Sequence, residues 1–460
     1  METTDYIYRN IARITLEAVT PILVGTGSGD LITDALAVKD INGLPYLPAT
    51  SIAGVLRHTL QLNEEDDKRF FGFQDKKGGQ GSLVIFTDGV MVGKEGKAVD
   101  GLQNIDWSDP FYEAYQNLPV RQHVRISDQG TAEKNGKFDN EVVYQRTRFV
   151  FEIEMITTSP CQDMFERVLA QLYDETLRLG SNTRSGYGKV RVADCKSACL
   201  DLRKPEDLNA YLAKPASLAE QWTRFQPFGK TDTDFDKEQW IQYRLELKPV
   251  DFFMIGSGLG DKDADNTPMA EHIIKWNNEG KPQLSQNPQV LIPGSSVKGA
   301  LAHRTAYRYN KLMKRYIGNP EAKTGTENEA VARIFGKKTD DNKFTRGCIL
   351  IDDIVQGEMK SKLFYHNKID AFTGGTIDGA LFQEKAVQGK AHNDYQYRLK
   401  LFVNKAAFEG DTDHNVREAF EQSLKDLCEG MLPLGGATAR GYGMFKGELS
   451  INEEKQSWER

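Results

Sequence analysis

The chain has 460 residues, a length that favours two to four domains over a single one. Hydrophobic residues make up 39% and charged residues 27%, which is typical of a globular protein and excludes a membrane-spanning helix, because no apolar run is long enough. The net charge of −7 argues against binding nucleic acid over the whole surface. The first residues lack a secretory signal, so we expect a cytoplasmic protein without a membrane partner.

Predicted strands and helices alternate in the first half of the chain. The first helix is predicted to begin with Thr50 or Ser51 as its N-cap, because hydroxyl groups satisfy the free N–H groups there. Hydrophobic periodicity places the elements of this half as follows: strands at 11–19, 82–86, 149–156 and 188–192, and helices at 51–62 and 163–179.

The second half repeats this order, with strands at 243–247, 348–351, 397–403 and 444–449 and helices at 296–316 and 419–429. Strand–helix–strand, twice per half, is the split βαβ or ferredoxin-like pattern. Residues 201–238 are rich in Pro, Lys, Asp and Thr and are interpreted as a linker with one short helix. We therefore predict an α+β protein with two tandem ferredoxin-like domains, 1–200 and 239–460.

Three motifs occur in the same order in both halves, which indicates a duplicated domain. They are the glycine loops at 25–30 and 256–261, the Pro–Ser–Gly helix starts at 48–54 and 293–299, and the glycine-rich loops at 180–188 and 435–443.

The glycine loops do not fit a dinucleotide-binding fold. That fingerprint needs a helix directly after the loop, whereas residues 31–38 are predicted to be extended. The glycines are better explained by a backbone that approaches a ligand closely. The candidates are Gly25, Gly27 and Gly29 in the first copy and Gly256 and Gly258 in the second.

The helix starts have exposed N–H groups and the positive end of the helix dipole, which favour a phosphate. Residues 298–315 add a basic stripe without an acidic residue. A plain capping motif is the alternative. The RNA-binding candidates on these helices are Ser51, Arg57, Ser295, Ser296, Lys298 and Arg304.

The third motif combines flexible glycines with an arginine and a tyrosine in each copy. Arginine suits a phosphate and tyrosine suits base stacking, so both copies are predicted to contact RNA here. The alternative is a tight loop before an edge strand. The candidates are Arg184, Tyr187, Arg440 and Tyr442.

With these motifs in this order, each copy resembles a RAMP (repeat-associated mysterious protein) domain of CRISPR effector complexes, and specifically the backbone subunit of type III complexes. Two such domains in one chain resemble the fused double-backbone subunit of type III-D systems. The resemblance implies RRM-like domains that bind guide CRISPR RNA and target RNA. It also implies other RAMP subunits and a large polymerase-like subunit as partners.

Residues 366–382 resemble the thumb hairpin of that family, which enters between bases of the guide–target duplex, and Phe372 lies within this segment. The first copy has a looser version at 121–128, which includes Arg125. A solvated loop insertion is the alternative for both segments. The fold prediction thus includes one thumb-hairpin insertion in each RAMP domain.

The resemblance also implies a catalytic carboxylate, which falls on Asp34 because residues 34–40 match the family spacing. A carboxylate there could deprotonate a ribose 2′-OH or hold a divalent metal ion, Mg or Mn, whose other ligands are unknown. In the second copy the position falls on Asn266 if Pro268 matches the family proline and on Asp265 if the loop shifts by one, with Asp263 as a further candidate. We predict Asp265, with a second copy that either cuts or only binds RNA.

The leading prediction is an RNA-guided endoribonuclease subunit. An inert RNA-binding scaffold fits every feature except Asp34. A guide-processing endonuclease and a nucleotide-using enzyme remain as alternatives. Histidine could also contribute, because His58 and His303 each lie four positions after the glycine of the helix-start motif. The five cysteines are scattered, and Cys195 and Cys199 form the only close pair in the sequence. Because no second Cys or His pair lies at zinc-ligand spacing, we expect reduced thiols.

Overall fold

The structure is a computed structural model. It describes residues 6–76, 78–127, 129–229, 234–316, 318–338, 344–358, 360–389 and 397–456. Of the segments named above, Asp128 at the end of 121–128 and residues 230–233 of the predicted linker lie outside the described residues.

The first copy has six main elements of the split βαβ pattern and one long hairpin. They are β1 (Tyr8–Ala18), α1 (Ala49–Leu60), β2 (Val84–Phe86), the hairpin β3 (Val120–Ile126) and β4 (Ala132–Glu141), β5 (Arg148–Thr157), α2 (Gln162–Gln171) and β6 (Val190–Asp201). In the main sheet β1 lies between β6 and β5, and β2 pairs with β5, all antiparallel. Short helices at Glu64–Phe71 and Pro110–Gln116 lie between the main elements.

The second copy repeats this arrangement. Its elements are β7 (Trp240–Pro249), α3 (Gly294–Leu312), β8 (Ile349–Ile351), the hairpin β9 (Ser361–His366) and β10 (Phe382–Gln388), β11 (Tyr397–Asn404), α4 (Asn415–Cys428) and β12 (Phe445–Ile451). Here β7 lies between β12 and β11, and β8 pairs with β11. The prediction of an α+β chain with a repeated strand–helix order is confirmed.

Each core forms where the helices cover one face of the sheet. In α1 the buried residues Ile52, Leu56 and Leu60 recur every four positions and therefore lie on one helix face. They pack with Ile14 and Leu16 of β1 in a single apolar cluster. The second copy has its own cluster.

The expected serine or threonine N-cap of α1 is wrong. Pro48 occupies the N-cap position, and the Ala49 N–H donates to the Asp88 carboxylate at 2.7 Å. In α3 the corresponding donor is the Gly294 N–H, which meets Asp353 at 2.7 Å. A carboxylate from a neighbouring segment therefore satisfies the first helical amide in both copies.

The predicted helix at 163–179 is also too long, because α2 ends at Gln171. Beyond it, the Asp174 carboxylate accepts from the Thr176 N–H at 2.6 Å and closes a local turn. Such side-chain-to-backbone bonds compete with helix continuation.

The second copy has a longer segment between its glycine loop and its helix, and the extra residues pack against the first copy. They form a small hairpin of Ile274–Trp276 with Pro282–Leu284. Ile274 is fully buried in the core of the first copy. The Trp276 indole N–H donates to the Arg146 carbonyl at 2.8 Å.

The segment between the copies contains a helix at Pro205–Leu212 and a two-residue strand at Gln226–Pro227. That strand pairs with β6 and so extends the first sheet. The domain bounds at 1–200, 201–238 and 239–460 stay a prediction. Within the described ranges, no helix combines the length and apolar character that a bilayer crossing requires.

Candidate nucleic-acid interface

The first glycine loop is an exposed turn held by Asp30. The Asp30 carboxylate accepts from the Ile32 and Thr33 N–H groups, each at 2.7 Å, and these bonds lower the pKa of Asp30. A side chain on Gly29 would collide with the carbonyl oxygens of Thr33 and Asp34. The turn therefore requires glycine at this position and delivers Asp34 directly after it.

The second glycine loop forms the same turn. The Asp261 carboxylate accepts from the Asp263 and Ala264 N–H groups, each at 2.9 Å. A side chain on Gly260 would meet the carbonyls of Ala264 and Asp265. By this geometry Asp265 takes the place of Asp34, and Asn266 the place of the residue that follows it.

The two candidate carboxylates lie beside the second strand of each hairpin. The Asp34 N–H donates to Asp139 Oδ1 and the Asp139 N–H donates to Asp34 Oδ2, both at 2.9 Å. In the second copy the Gln383 N–H donates to Asp265 Oδ2 at 2.8 Å, and the Asp265 N–H donates to the Gln383 carbonyl at 2.9 Å. Both aspartates are exposed. The first site thus contains two carboxylates, whereas the second pairs one carboxylate with an amide.

A lysine further distinguishes the second site. Lys385 Nζ lies 2.5 Å from the Asp261 carboxylate and 3.0 Å from that of Asp263. The Lys385 ammonium is the main cause of the lowered pKa of Asp261. In the described part of the chain, no group of three or more His, Cys, Asp or Glu side chains is placed to hold a metal ion.

The two hairpins present their far ends to solvent. Phe372, in the loop between β9 and β10, is 99% exposed. Arg125 of β3 is 60% exposed, 3.6 Å from Glu133 across the hairpin. Side chains in both places are accessible to a large ligand.

A histidine–phenylalanine pair that is repeated in the two hairpins is not evident from the sequence. His123 stacks on Phe138 with ring centroids 4.9 Å apart, and His366 stacks on Phe382 at the same separation. The residues of each pair face each other across their hairpins. The strand pairing in the two hairpins reveals this correspondence. The spacing of these residues along the chain does not reveal it. The predicted pair, His58 and His303, lies elsewhere, on α1 and α3.

At the helix starts, Ser51, Ser295 and Ser296 are half-buried in the first turns of α1 and α3. Lys298 is also half-buried, and burial together with the charge of Arg184 lowers its pKa. Lys298 therefore lies near a second positive charge, that of Arg184.

Much of the basic stripe on α3 faces another helix. Arg304 Nε donates to Asp426 of α4 at 2.6 Å, and Arg308 Nε donates to the same carboxylate at 2.7 Å. Arg57 of α1 is similarly bound to Asp67 at 2.6 Å, although it is 41% exposed. Arg304 is therefore paired with a carboxylate inside the protein, and its contact with RNA stays a prediction.

The third motif of the first copy packs at the junction with the second copy. Tyr187 is 1% exposed, and its hydroxyl lies 2.8 Å from Nε2 of His123. Arg184 Nε donates to the Gly347 carbonyl at 3.0 Å. Burial, with the charges of Arg346 and Arg178, lowers the pKa of Arg184 to about 10. Base stacking by Tyr187 would require this packing to open, and that contact stays a prediction.

In the second copy the motif is closer to the surface. Tyr442 is 9% exposed and lies against Phe252 and Phe364, with ring centroids about 6 Å apart. Arg440 is 40% exposed and donates to the buried Glu384 carboxylate at 2.8 Å. Of the four residues predicted in this motif, Arg440 is the most accessible.

The fold and these loops define a protein of two tandem ferredoxin-like domains, each with a glycine loop set beside a hairpin. A family model, the RAMP superfamily, matches residues 15–191 and 277–446, most of the chain. The protein belongs to the RAMP superfamily. Membership implies a CRISPR-associated RNA-binding subunit, and RAMP proteins typically bind CRISPR RNA and other subunits of their complexes. The search of curated proteins found no match.

Proposed function

We propose that this protein is a backbone subunit of a type III CRISPR effector complex, of the fused type III-D kind, that binds guide RNA and cuts complementary target RNA. The observation that carries the proposal is the duplicated placement of Asp34 and Asp265 between a glycine turn and a hairpin. An exposed carboxylate fixed in the same backbone setting twice is better explained by a shared chemical role than by two unrelated surface loops.

The proposed reaction is endonucleolytic cleavage with the ribose 2′-OH as nucleophile. The Asp34 carboxylate accepts the 2′-OH proton, the 2′ oxygen forms a bond to the adjacent phosphorus, and the bond from phosphorus to the 5′ oxygen breaks. The leaving 5′ oxygen takes a proton from water. Because the Asp139 N–H holds one oxygen of Asp34 at 2.9 Å, the carboxylate is oriented before the RNA arrives.

A divalent cation, Mg or Mn, fits this site only in part. Asp34 and Asp139 would hold it together with phosphate oxygens of the RNA, as is usual for Mg²⁺, which binds one or two carboxylates and substrate phosphates. Such an ion would neutralise the charge that develops on the phosphate. At the second site only Asp265 offers a carboxylate at the same place, with Gln383 opposite.

The proposed RNA-binding surface consists of the glycine loops, the helix starts and the hairpin ends. Main-chain groups at the glycine turns would contact the ribose–phosphate chain closely, and the hairpin ends would act as thumbs. Phe372 is suited to stack on a base because it is almost fully exposed. The contacts proposed from described residues are Gly25, Gly27, Gly29, Ser51, Arg125, Gly256, Gly258, Ser295, Ser296, Lys298, Phe372 and Arg440.

One observation favours a second candidate function, an inert guide-binding scaffold. In the described part of the chain no third acidic or histidine ligand joins Asp34 and Asp139 in a metal-binding group. In that case other RAMP subunits or the large polymerase-like subunit of the complex would supply the chemistry.

Cleavage of guide-matched target RNA by the assembled complex separates the two functions. We expect Asp34→Ala and Asp265→Ala each to remove one product while guide RNA stays bound. Glu166→Gln, an exposed change on α2, is the matched control and should cut like the wild type. Normal cleavage in both aspartate variants would select the scaffold function.

A further inference from the structure

The β3–β4 hairpin beside Asp34 packs against the rest of the protein mainly at one pair of facing residues. Most of β3 and β4 is exposed or half-buried, and the fully buried positions are Arg121 on β3 and Asn140 on β4. These two residues face each other across the hairpin. Arg121 is only 2% exposed, which is unusual for an arginine and requires partners for its charge.

The carboxylate partners of Arg121 belong to the second copy, and its guanidinium also lies over the Tyr187 ring of the first copy, 5.0 Å from the centroid. Its guanidinium donates from Nη2 to Glu271 Oε2 at 2.7 Å, from Nε to the other oxygen of Glu271, and from Nη1 to Asp353. Asp353 also accepts the Gly294 N–H at the start of α3. A single buried side chain therefore ties the base of the first hairpin to the helix start of the second copy.

From Arg121 the connection to Asp34 is short. Asn140, opposite Arg121, forms a bridge with Ala35, and Asp139 next to it exchanges hydrogen bonds with Asp34. The strand that orients Asp34 is thus β4, which pairs with β3, the strand that carries Arg121. A loss of the anchor would let this strand shift with respect to the glycine turn.

The second copy lacks this anchor. Phe364 precedes His366 by two positions, as Arg121 precedes His123, and the two histidines correspond through their stacked phenylalanines. Phe364 packs against the Phe252 ring instead of an acidic pair. The anchor is therefore specific to the junction between the copies and should influence the first site alone.

We propose that Arg121 is a positioning residue for the Asp34 site, which makes the first site dependent on docking of its hairpin to the second copy. This inference rests on the proposed nuclease function. The planar guanidinium serves two carboxylates at once, which a lysine ammonium cannot do with the same geometry. Both Arg121→Gln and Arg121→Lys should therefore disturb the site.

The test measures single-turnover target cleavage by the guide-bound complex. We expect Arg121→Gln to slow the Asp34-dependent product about 10- to 100-fold, as for a misplacement of about 1 Å, with the Asp265-dependent product and guide binding unchanged. Arg121→Lys should show a smaller loss of the same product. The proposal would be overturned if Arg121→Gln made the first product at the wild-type rate, or if it slowed both products equally.

Arg178→Gln is the matched control. Arg178 is also buried and also binds across the junction, to Asp352 at 2.6 Å, but it does not contact the hairpin. The Arg178→Gln substitution should weaken the contact between the copies without a selective loss of the first product. A selective loss as large as that of Arg121→Gln would assign the effect to the junction in general and overturn the role of Arg121.

Hydrogen exchange keeps the inference testable apart from cleavage. In Arg121→Gln, amides of residues 132–141 should exchange faster than in the wild type, whereas Arg178→Gln should leave them unchanged. If the wild type makes no product at all, the proposed nuclease function fails. Unchanged exchange in Arg121→Gln would then also show that Arg121 does not hold the hairpin.

Discussion

Asp34 and Asp265 hold the same place in the two copies, each accepting a backbone N–H from the second strand of its hairpin at 2.9 and 2.8 Å. The residues that donate differ, because Asp139 stands opposite Asp34 and Gln383 stands opposite Asp265. The two proposed active sites therefore share this backbone hydrogen bond and differ in charge.

The first prediction follows from that charge difference. Asp139→Asn removes the second carboxylate and should raise the Mg²⁺ concentration for half-maximal cleavage at the first site by about tenfold, as for loss of a supporting group. Gln383→Asp should lower this concentration at the second site. The measurement is a Mg²⁺ titration of each product separately. Identical titrations for wild type and Asp139→Asn would contradict a role for the second carboxylate.

The second prediction concerns the glycine turn before Asp34. Gly29→Ala places a methyl group against the carbonyls of Thr33 and Asp34, so the turn must shift and the first cleavage product should be lost. Gly54→Ala is the control, since a side chain on this helical glycine meets nothing within 4 Å. Gly54→Ala should raise the free energy of unfolding by about 0.5 to 1 kcal/mol. Urea denaturation and product mapping check both outcomes.

The third prediction separates structure from RNA binding on α3. Asp426 is 1% exposed and forms ion pairs with both Arg304 and Arg308. Asp426→Asn leaves two arginines without their counter-charge and should lower the free energy of unfolding by about 3 kcal/mol. Arg304→Gln should also destabilise the fold, with little change in guide affinity at fixed salt. A weakened guide complex with unchanged stability would show that Arg304 contacts RNA after all.

The fourth prediction concerns His123. Burial, with the charge of Arg121, lowers the pKa of His123 to about 4, below the usual value near 6.5. Between these values the unfolded chain binds a proton that the folded chain does not, so stability falls as the pH drops from about 6.5 to 4. The ring is partly exposed, so we expect a loss of about 1 to 2 kcal/mol between pH 7 and pH 5.

Denaturation of the His123→Gln variant is the control for this effect. The glutamine does not titrate, so the variant should lose less stability between pH 7 and pH 5 than the wild type. An equal loss in both proteins would assign the pH dependence to other groups.

The order of strands and helices could be predicted from the sequence because each element depends on local patterns. The apolar residues of α1 recur at helical spacing, and the two halves repeat each other from glycine loop to final strand. Helix ends were less accurate. Asp88 and Asp353 satisfy the first amides of α1 and α3 from distant positions, which local capping rules do not include.

The side-chain partners of the site could not be predicted, because they are separated widely along the chain. Arg304 of the basic stripe meets an aspartate on another helix. Tyr187 faces the junction between the copies instead of solvent. The placement of Asp265 was ambiguous by spacing alone, and the hydrogen bonds of the Asp261 turn resolve its correspondence to Asp34.

The most direct test of the central claim compares four guide-bound proteins on one end-labelled target RNA: wild type, Asp34→Asn, Asp265→Asn and the double variant. Asparagine keeps the size of each side chain and removes its charge. The account predicts that each single variant loses a different product and that the double variant cuts nothing while still binding guide and target. Undiminished cleavage by the double variant, with both RNAs bound, would contradict the assignment of the chemistry to this chain.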